Sequence, residues 1–78
     1  MNEMSGTDII RNVMREEGIT HQALAEQLGY RSTSAVTGRL ATPRISVDKM
    51  VEMLEAMGYE VIVRKHGFSS GPEWKISK

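Results

Sequence analysis

Apolar residues recur at helical spacing near the start of the chain. This stripe consists of Ile9, Ile10, Val13 and Met14. Polar residues between them complete an amphipathic pattern, which predicts a first helix that runs to Glu17. Ser5, three residues before Asp8, is typical of a capping box, with Thr7 as an alternative cap. Gly18 then predicts a left-handed stop.

The strongest local pattern lies between residues 20 and 40. Thr20 is an N-cap candidate, and Ile19 and Leu24 flank it as a hydrophobic staple. Gly29 ends this second helix, and a further short amphipathic segment follows. Two short helices across a tight turn that starts with glycine indicate a helix-turn-helix unit.

The third helix has the weakest pattern of the four. Val36 and Leu40 lie four residues apart and predict a buried face, with Ser32 or Ser34 as the cap. Gly38 inside the helix costs about 1 kcal/mol relative to alanine. Packing against neighbouring helices is therefore expected to hold this segment in place.

A fourth helix repeats the staple, with Ile45, Ser46 as cap, and Met50. Its predicted buried face consists of Val47, Met50, Val51, Leu54 and Met57. Met53 is expected to fill the core or a dimer contact with the other methionines. Gly58 predicts the end of the helix.

After Gly58 the pattern changes from helical to extended. Residues 59–65 are rich in β-branched and aromatic side chains, which predicts a strand. Residues 66–72 are rich in turn formers, and residues 73–77 alternate, with Trp74 and Ile76 on one face of a return strand. Because an isolated hairpin is marginal in water, we expect it to pair with a second copy across a two-fold axis.

Composition limits the class of protein. The chain has 78 residues, no cysteine and no long apolar run. One domain with a small core is expected, without a disulfide framework or a Cys-based zinc site. The absence of a membrane span and of a secretory-signal pattern predicts a cytoplasmic protein.

Charge is balanced overall but unevenly distributed. Ten basic and ten acidic residues give a formal net charge of zero, which argues against an indiscriminate polyanion binder. Between residues 29 and 49, however, four basic residues stand against the single acid Asp48. His21 and His66 lack the spacing of metal ligands, and no phosphate loop or nucleophile motif is present. The sequence predicts neither an enzyme nor a cofactor.

Two segments carry a resemblance to a known family: GITHQALAEQLG at residues 18–29 and SVDKMVEMLEAMGYEV at residues 46–61. Both resemble the XRE family, the lambda-repressor-like group of phage repressors, Cro proteins and small bacterial regulators. The resemblance covers residues 7–58 and implies a mostly α domain of four to five helices with a C-terminal β-strand or hairpin. The turn before the third helix is one residue longer than the common form. Gly38 stands where members often carry a side chain directed at bases.

The resemblance implies three segments of the chain and a set of DNA contacts. Residues 1–6 form a flexible lead-in, residues 7–58 the DNA-binding domain, and residues 59–78 a dimerisation tail. The implied DNA contacts are His21, Gln22, Arg31, Ser32, Thr33, Ser34, Thr37, Arg39, Arg44 and Lys49. Arg39 is the strongest single candidate, and its alternative is a solvated side chain or a pair with a nearby glutamate. The others are alternatively capping, turn or solvated surface residues.

The residue pattern and this resemblance together predict a homodimeric, sequence-specific regulator. It is expected to bind a palindromic operator in double-stranded DNA through its third helix and to repress by occupying a promoter. The expected dimer contacts are Met57, Tyr59, Val61, Ile62, Val63, Trp74 and Ile76. The alternative is a protein-interaction module, either the antitoxin of a toxin–antitoxin pair or a small phage inhibitor that reuses the fold. The net charge of zero and the apolar C-terminal segment are compatible with this alternative.

Overall fold

The computed structural model describes residues 4–65 and 71–77. Within them the chain forms four helices followed by two strands: α1 (Gly6–Glu17), α2 (His21–Leu28), α3 (Ser34–Leu40), α4 (Val47–Ala56), β1 (Val61–Arg64) and β2 (Glu73–Ile76). The prediction of a mostly α chain with a C-terminal β-hairpin is confirmed. Ser5 and Gly6, assigned from sequence to the lead-in, form the start of α1, and residues 1–3 of that lead-in lie outside the described residues.

Three helices begin at the predicted caps, which are Ser5, Thr20 and Ser46. Each side-chain oxygen accepts the backbone N–H three residues further along, at 3.1 Å from Asp8, 3.1 Å from Ala23 and 3.3 Å from Lys49. This bond satisfies an amide that the helix itself leaves without a partner. Gly18 and Gly29 end α1 and α2 with φ of 65° and 75°, a left-handed geometry that costs glycine little.

The start of α3 differs from the prediction. Neither Ser32 nor Ser34 caps it: the N-cap position belongs to Thr33, and no side chain bonds an amide there. Thr33 has already turned into the helical region, with φ −62° and ψ −29°, whereas a capping residue is extended. The hydroxyls of Ser32 and Ser34 instead bond each other at 2.7 Å.

One hydrophobic core joins all four helices. Its buried members are Ile10, Val13, Met14, Leu24, Ala25, Val36, Leu40, Val51, Met53, Leu54 and Met57. Val36 and Leu40 share the buried face of α3, as predicted. The predicted core positions Ile9 and Val47 are instead exposed, at 39% and 52%. Ile9 lies at the edge of the apolar stripe of α1, and Val47 lies in the first turn of α4. The apolar stripe of α4 runs through Met50, Met53 and Met57.

The two strands pair antiparallel. Val61 lies opposite Ile76, Ile62 opposite Lys75, Val63 opposite Trp74 and Arg64 opposite Glu73. Val61 also packs against the helical core, which anchors one end of the hairpin to the body. The predicted turn at residues 66–72, including His66, lies mostly outside the described residues.

Candidate nucleic-acid interface

The connection between α2 and α3 places a polar surface beside a buried anchor. After Gly29, the backbone N–H of Tyr30 donates to the carbonyl of Ala25 at 2.9 Å, and the Tyr30 ring packs against the core. The chain then emerges to solvent from residue 31 to residue 35. The apolar side of α3 is thus fixed while its start and outer side stay accessible.

Most of the sequence-predicted contacts lie on the surface. The exposed ones are Gln22, Arg31, Ser32, Thr33, Ser34, Thr37, Arg44 and Lys49, whereas His21 and Arg39 are half-buried. No side-chain partner within residues 4–65 and 71–77 neutralises Arg31, Arg44 or Lys49. These three charges are therefore available to an anionic ligand.

A groove of about 400 Å³ separates α3 from the start of α4. It is lined by Ser34, Ala35, Gly38, Arg39, Thr42, Arg44, Ile45, Ser46 and Lys49. The structure therefore brings four of the predicted DNA contacts together there, and it adds Ala35, Thr42, Ile45 and Ser46, which were not predicted as contacts. Ile45 and Ser46 were predicted from the sequence only as the staple and cap of the fourth helix, and nothing in the sequence marked Ala35 or Thr42 as contacts. A Cβ added at Gly38 would meet nothing within 4 Å, so the α3 backbone is open on this side.

His21 and Thr37 form a direct link between α2 and α3. His21 Nδ1 lies 3.0 Å from Thr37 Oγ1, and this bond spans the two segments that were predicted as separate contacts. The neighbouring Gln22 donates from Nε2 to Glu26 Oε1 at 3.4 Å, within α2. The first turn of α2 and the middle of α3 therefore share one surface.

Arg39 is engaged within the protein, as the alternative interpretation had it. Its Nη1 lies 3.1 Å from Glu52 Oε1 on α4, and its guanidinium carbon lies 4.6 Å from the centroid of the Tyr30 ring. Arg39 also donates to the Tyr30 hydroxyl, which in turn donates to Glu52. Burial, followed by the hydrogen bond to Glu52, raises the pKa of Tyr30 to about 12.

Two further bonds hold the end of α3 and the segment after it. Arg11 on α1 donates from Nη2 to the carbonyl of Leu40, one of the carbonyls that a helix end leaves without a partner. The buried Thr7 donates from Oγ1 to the carbonyl of Thr42 at 2.6 Å. The position of α3 is therefore set by polar contacts from α1, α2 and α4.

The two faces of the hairpin differ in polarity. Val61, Val63, Trp74 and Ile76 form the apolar hairpin face, since residues directly opposite in the ladder point the same way. Trp74 is 62% exposed and Val63 47%. The other face carries Ile62 and two ion pairs. Arg64 Nη1 lies 4.0 Å from Glu73 Oε2, and Lys75 Nζ lies 3.8 Å from Glu60 Oε2.

The remaining predicted dimer residues lie closer to the helices. Met57 is buried in the core. Tyr59 is exposed at the start of the hairpin and donates from its hydroxyl to Glu17 Oε2 at 3.2 Å. This hydrogen bond raises the pKa of Tyr59. Ile62 faces away from the apolar hairpin face.

The described residues contain no group of three or more histidine, aspartate and glutamate side chains that could hold a metal ion. None of their helices is both long and apolar enough to cross a membrane. Comparison with known proteins finds no matching family model, no matching curated protein and no matching solved structure.

Proposed function

We propose that this chain is a sequence-specific DNA-binding regulator of the XRE type, and that α2 and α3 form its helix-turn-helix. In this binding mode α3 enters the major groove of DNA, and the start of α2 contacts the DNA phosphate backbone. The observation that carries the proposal is the exposed, polar outer side of α3. Beside it lie Arg31, Arg44 and Lys49, which form no ion pair within the described residues. The opposite side of the same helix is fixed in the core through Val36 and Leu40.

Arg44 and Lys49 supply phosphate contacts in this proposal. Both line the groove beside Ser46, the cap of α4, where the partial positive charge of a helix start adds to their own. His21 and Gln22 act in the same way at the start of α2. Such contacts set register and orientation on the duplex without reading sequence.

Sequence reading is assigned to the segment from Arg31 to Ser34 and to Thr37. Arg31 is exposed and can bind guanine through two parallel hydrogen bonds. Hydroxyl side chains accept or donate to base edges and discriminate less strongly. The groove floor at Ala35 and Gly38 lets a ligand approach the α3 backbone closely.

A homodimer follows from the apolar hairpin face in this proposal. A two-fold contact buries the same patch on both copies, so the patch must complement itself. The apolar hairpin face carries no charge, whereas the other face carries Arg64, Glu73 and Lys75. Two copies joined in this way would place their α3 helices in successive major grooves, about 34 Å apart.

Selection of bound sequences from a random pool of double-stranded DNA tests the proposal. We expect enrichment of a palindromic sequence, together with a solution mass of two chains. Affinity for the enriched sequence should fall steeply with added salt, because bound phosphates release counterions. A pool from which no sequence is enriched at low salt contradicts the proposal.

The second candidate is a protein-interaction module, and the exposure of Trp74 favours it. In that case the apolar hairpin face receives a different protein, such as a cognate toxin, and the chain alone is monomeric. A monomeric mass together with no enriched DNA supports this candidate. A dimeric mass with an enriched palindrome supports the regulator.

A further inference from the structure

Three side chains from three parts of the chain meet beside the groove. Tyr30 follows α2, Arg39 belongs to α3 and Glu52 to α4. We propose that this Tyr30–Arg39–Glu52 cluster consists of positioning residues that set the orientation of α3 for selective DNA binding. The inference rests on the proposed function and gives Arg39 a role within the protein, in place of a direct DNA contact.

The short helix α3 needs such a restraint. It has seven residues, no side-chain cap and an internal glycine, so it is not stable by itself. Val36 and Leu40 fix how deeply it lies in the core, but apolar burial is non-directional. Hydrogen bonds and a planar guanidinium impose direction.

The side chains of the cluster are partly buried, so their polar contacts are strong enough to restrain the orientation of α3. The side chains of Arg39 and Glu52 are each 23% exposed, so water screens their pairing less than it screens a surface pair. Arg39 stacks on the Tyr30 ring at 4.6 Å while bonding the carboxylate of Glu52. The Tyr30 hydroxyl is hydrogen-bonded to both Arg39 and Glu52. These bonds link the connection after α2 to α3 and α4.

A direct DNA contact and a positioning role for Arg39 predict opposite changes in the affinity for selected DNA when the charge of Glu52 is removed. A direct DNA contact would be strengthened, because Glu52 no longer competes with phosphate or base for the guanidinium. A positioning role requires the pair, so selective binding weakens. General electrostatics favours tighter binding of any DNA, since the protein gains one unit of net positive charge.

The test compares Glu52→Gln with Glu55→Gln, which removes the same charge from the same helix outside the cluster. Each variant is titrated with the DNA selected by the wild-type protein and with unrelated DNA. We expect Glu52→Gln to reduce the ratio of the two affinities about tenfold, or about 1.4 kcal/mol. Glu55→Gln should leave the ratio unchanged. Tighter binding of the selected DNA by Glu52→Gln overturns the inference.

A charge exchange separates positioning from direct contact independently. Arg39→Glu and Glu52→Arg should each lose selectivity, and the double variant should regain most of it because an ion pair is restored. A double variant as unselective as Arg39→Glu overturns the inference. Unfolding by denaturant confirms that each variant is folded at the temperature of the titrations, and affinities are corrected for the folded fraction.

The wild-type measurement separates this inference from the proposal on which it rests. If the wild-type protein selects no DNA, the proposed function fails, and the positioning role fails with it. If the wild-type protein selects DNA but Glu52→Gln and Glu55→Gln behave alike, only the positioning role fails.

Discussion

At the scale of single residues, Arg31 before α3 and Arg39 within α3 differ in what surrounds their guanidinium groups. Arg31 is exposed, and no described residue pairs with its side chain. Arg39 is half-buried between Tyr30 and Glu52. The guanidinium group is therefore accessible to a ligand at Arg31 and engaged in internal contacts at Arg39.

Arg31→Ala should weaken binding of selected DNA by about 1–3 kcal/mol, because a charged contact that reads a base is lost. Stability should change by less than about 0.5 kcal/mol, since an exposed side chain without partners is removed. Titration of DNA and denaturant unfolding measure the two effects. Arg15→Ala is the control, because Arg15 is also exposed and lies in the last turn of α1. Equal losses in both variants argue against base reading by Arg31.

The raised pKa of Tyr30 predicts that the protein loses stability at alkaline pH. Because its pKa is raised to about 12 in the folded protein, folding favours the neutral phenol. That contribution is complete below the unfolded pKa of about 10 and disappears as the pH rises toward about 12. The free energy of unfolding should therefore fall more steeply in the wild-type protein than in Tyr30→Phe. Tyr59 titrates in both, so parallel curves above about pH 10 contradict the assignment.

At the scale of helices, the N-caps provide a matched pair of threonines. Thr20 accepts the Ala23 amide, whereas Thr33 occupies the cap position of α3 without such a bond. Thr20→Ala should cost about 1 kcal/mol of stability. Thr33→Ala should cost less than about 0.5 kcal/mol. Denaturant unfolding measures both, and equal costs would show that the cap bond of Thr20 contributes little.

The helices that could be predicted from the sequence are those with local chemistry at their ends. Ser5, Thr20 and Ser46 bond amides three residues away, and Gly18 and Gly29 require only their own backbone geometry. These interactions do not depend on the rest of the fold. The hairpin also follows from a local change in pattern at residue 59.

The start of α3 and the partners of Arg39 could not be predicted in the same way. Glu52 lies 13 residues beyond Arg39 and 22 beyond Tyr30, so their meeting depends on how α4 crosses α3. The bonds of Arg11 to Leu40 and of Thr7 to Thr42 span 29 and 35 residues. The residue pattern identifies a polar outer side of α3, but only the packing shows that its one charged residue, Arg39, is paired with Glu52.

At the scale of the whole molecule, the hairpin carries much of the exposed apolar surface, with Tyr59, Ile62, Val63 and Trp74 among the exposed large hydrophobic residues. Two-stranded hairpins are marginal in water without a further surface to pack on. Val61 provides one such contact, with the helical core. In our proposal a second copy supplies the rest, through the apolar hairpin face.

Val63→Lys should therefore convert the proposed dimer to a monomer, because each copy would bury a lysine charge in an apolar interface. Ile62→Lys is the matched control: Ile62 belongs to the same strand and is similarly exposed, at 40% against 47%, but it points to the opposite face. Sedimentation equilibrium measures the mass of each variant. A dimer held by main-chain pairing along a strand edge would not distinguish the two positions, so equal masses contradict contact through the apolar face. Since two half-sites are bound together only by a dimer, Val63→Lys should also lose affinity for the palindrome while retaining weak binding to one half-site.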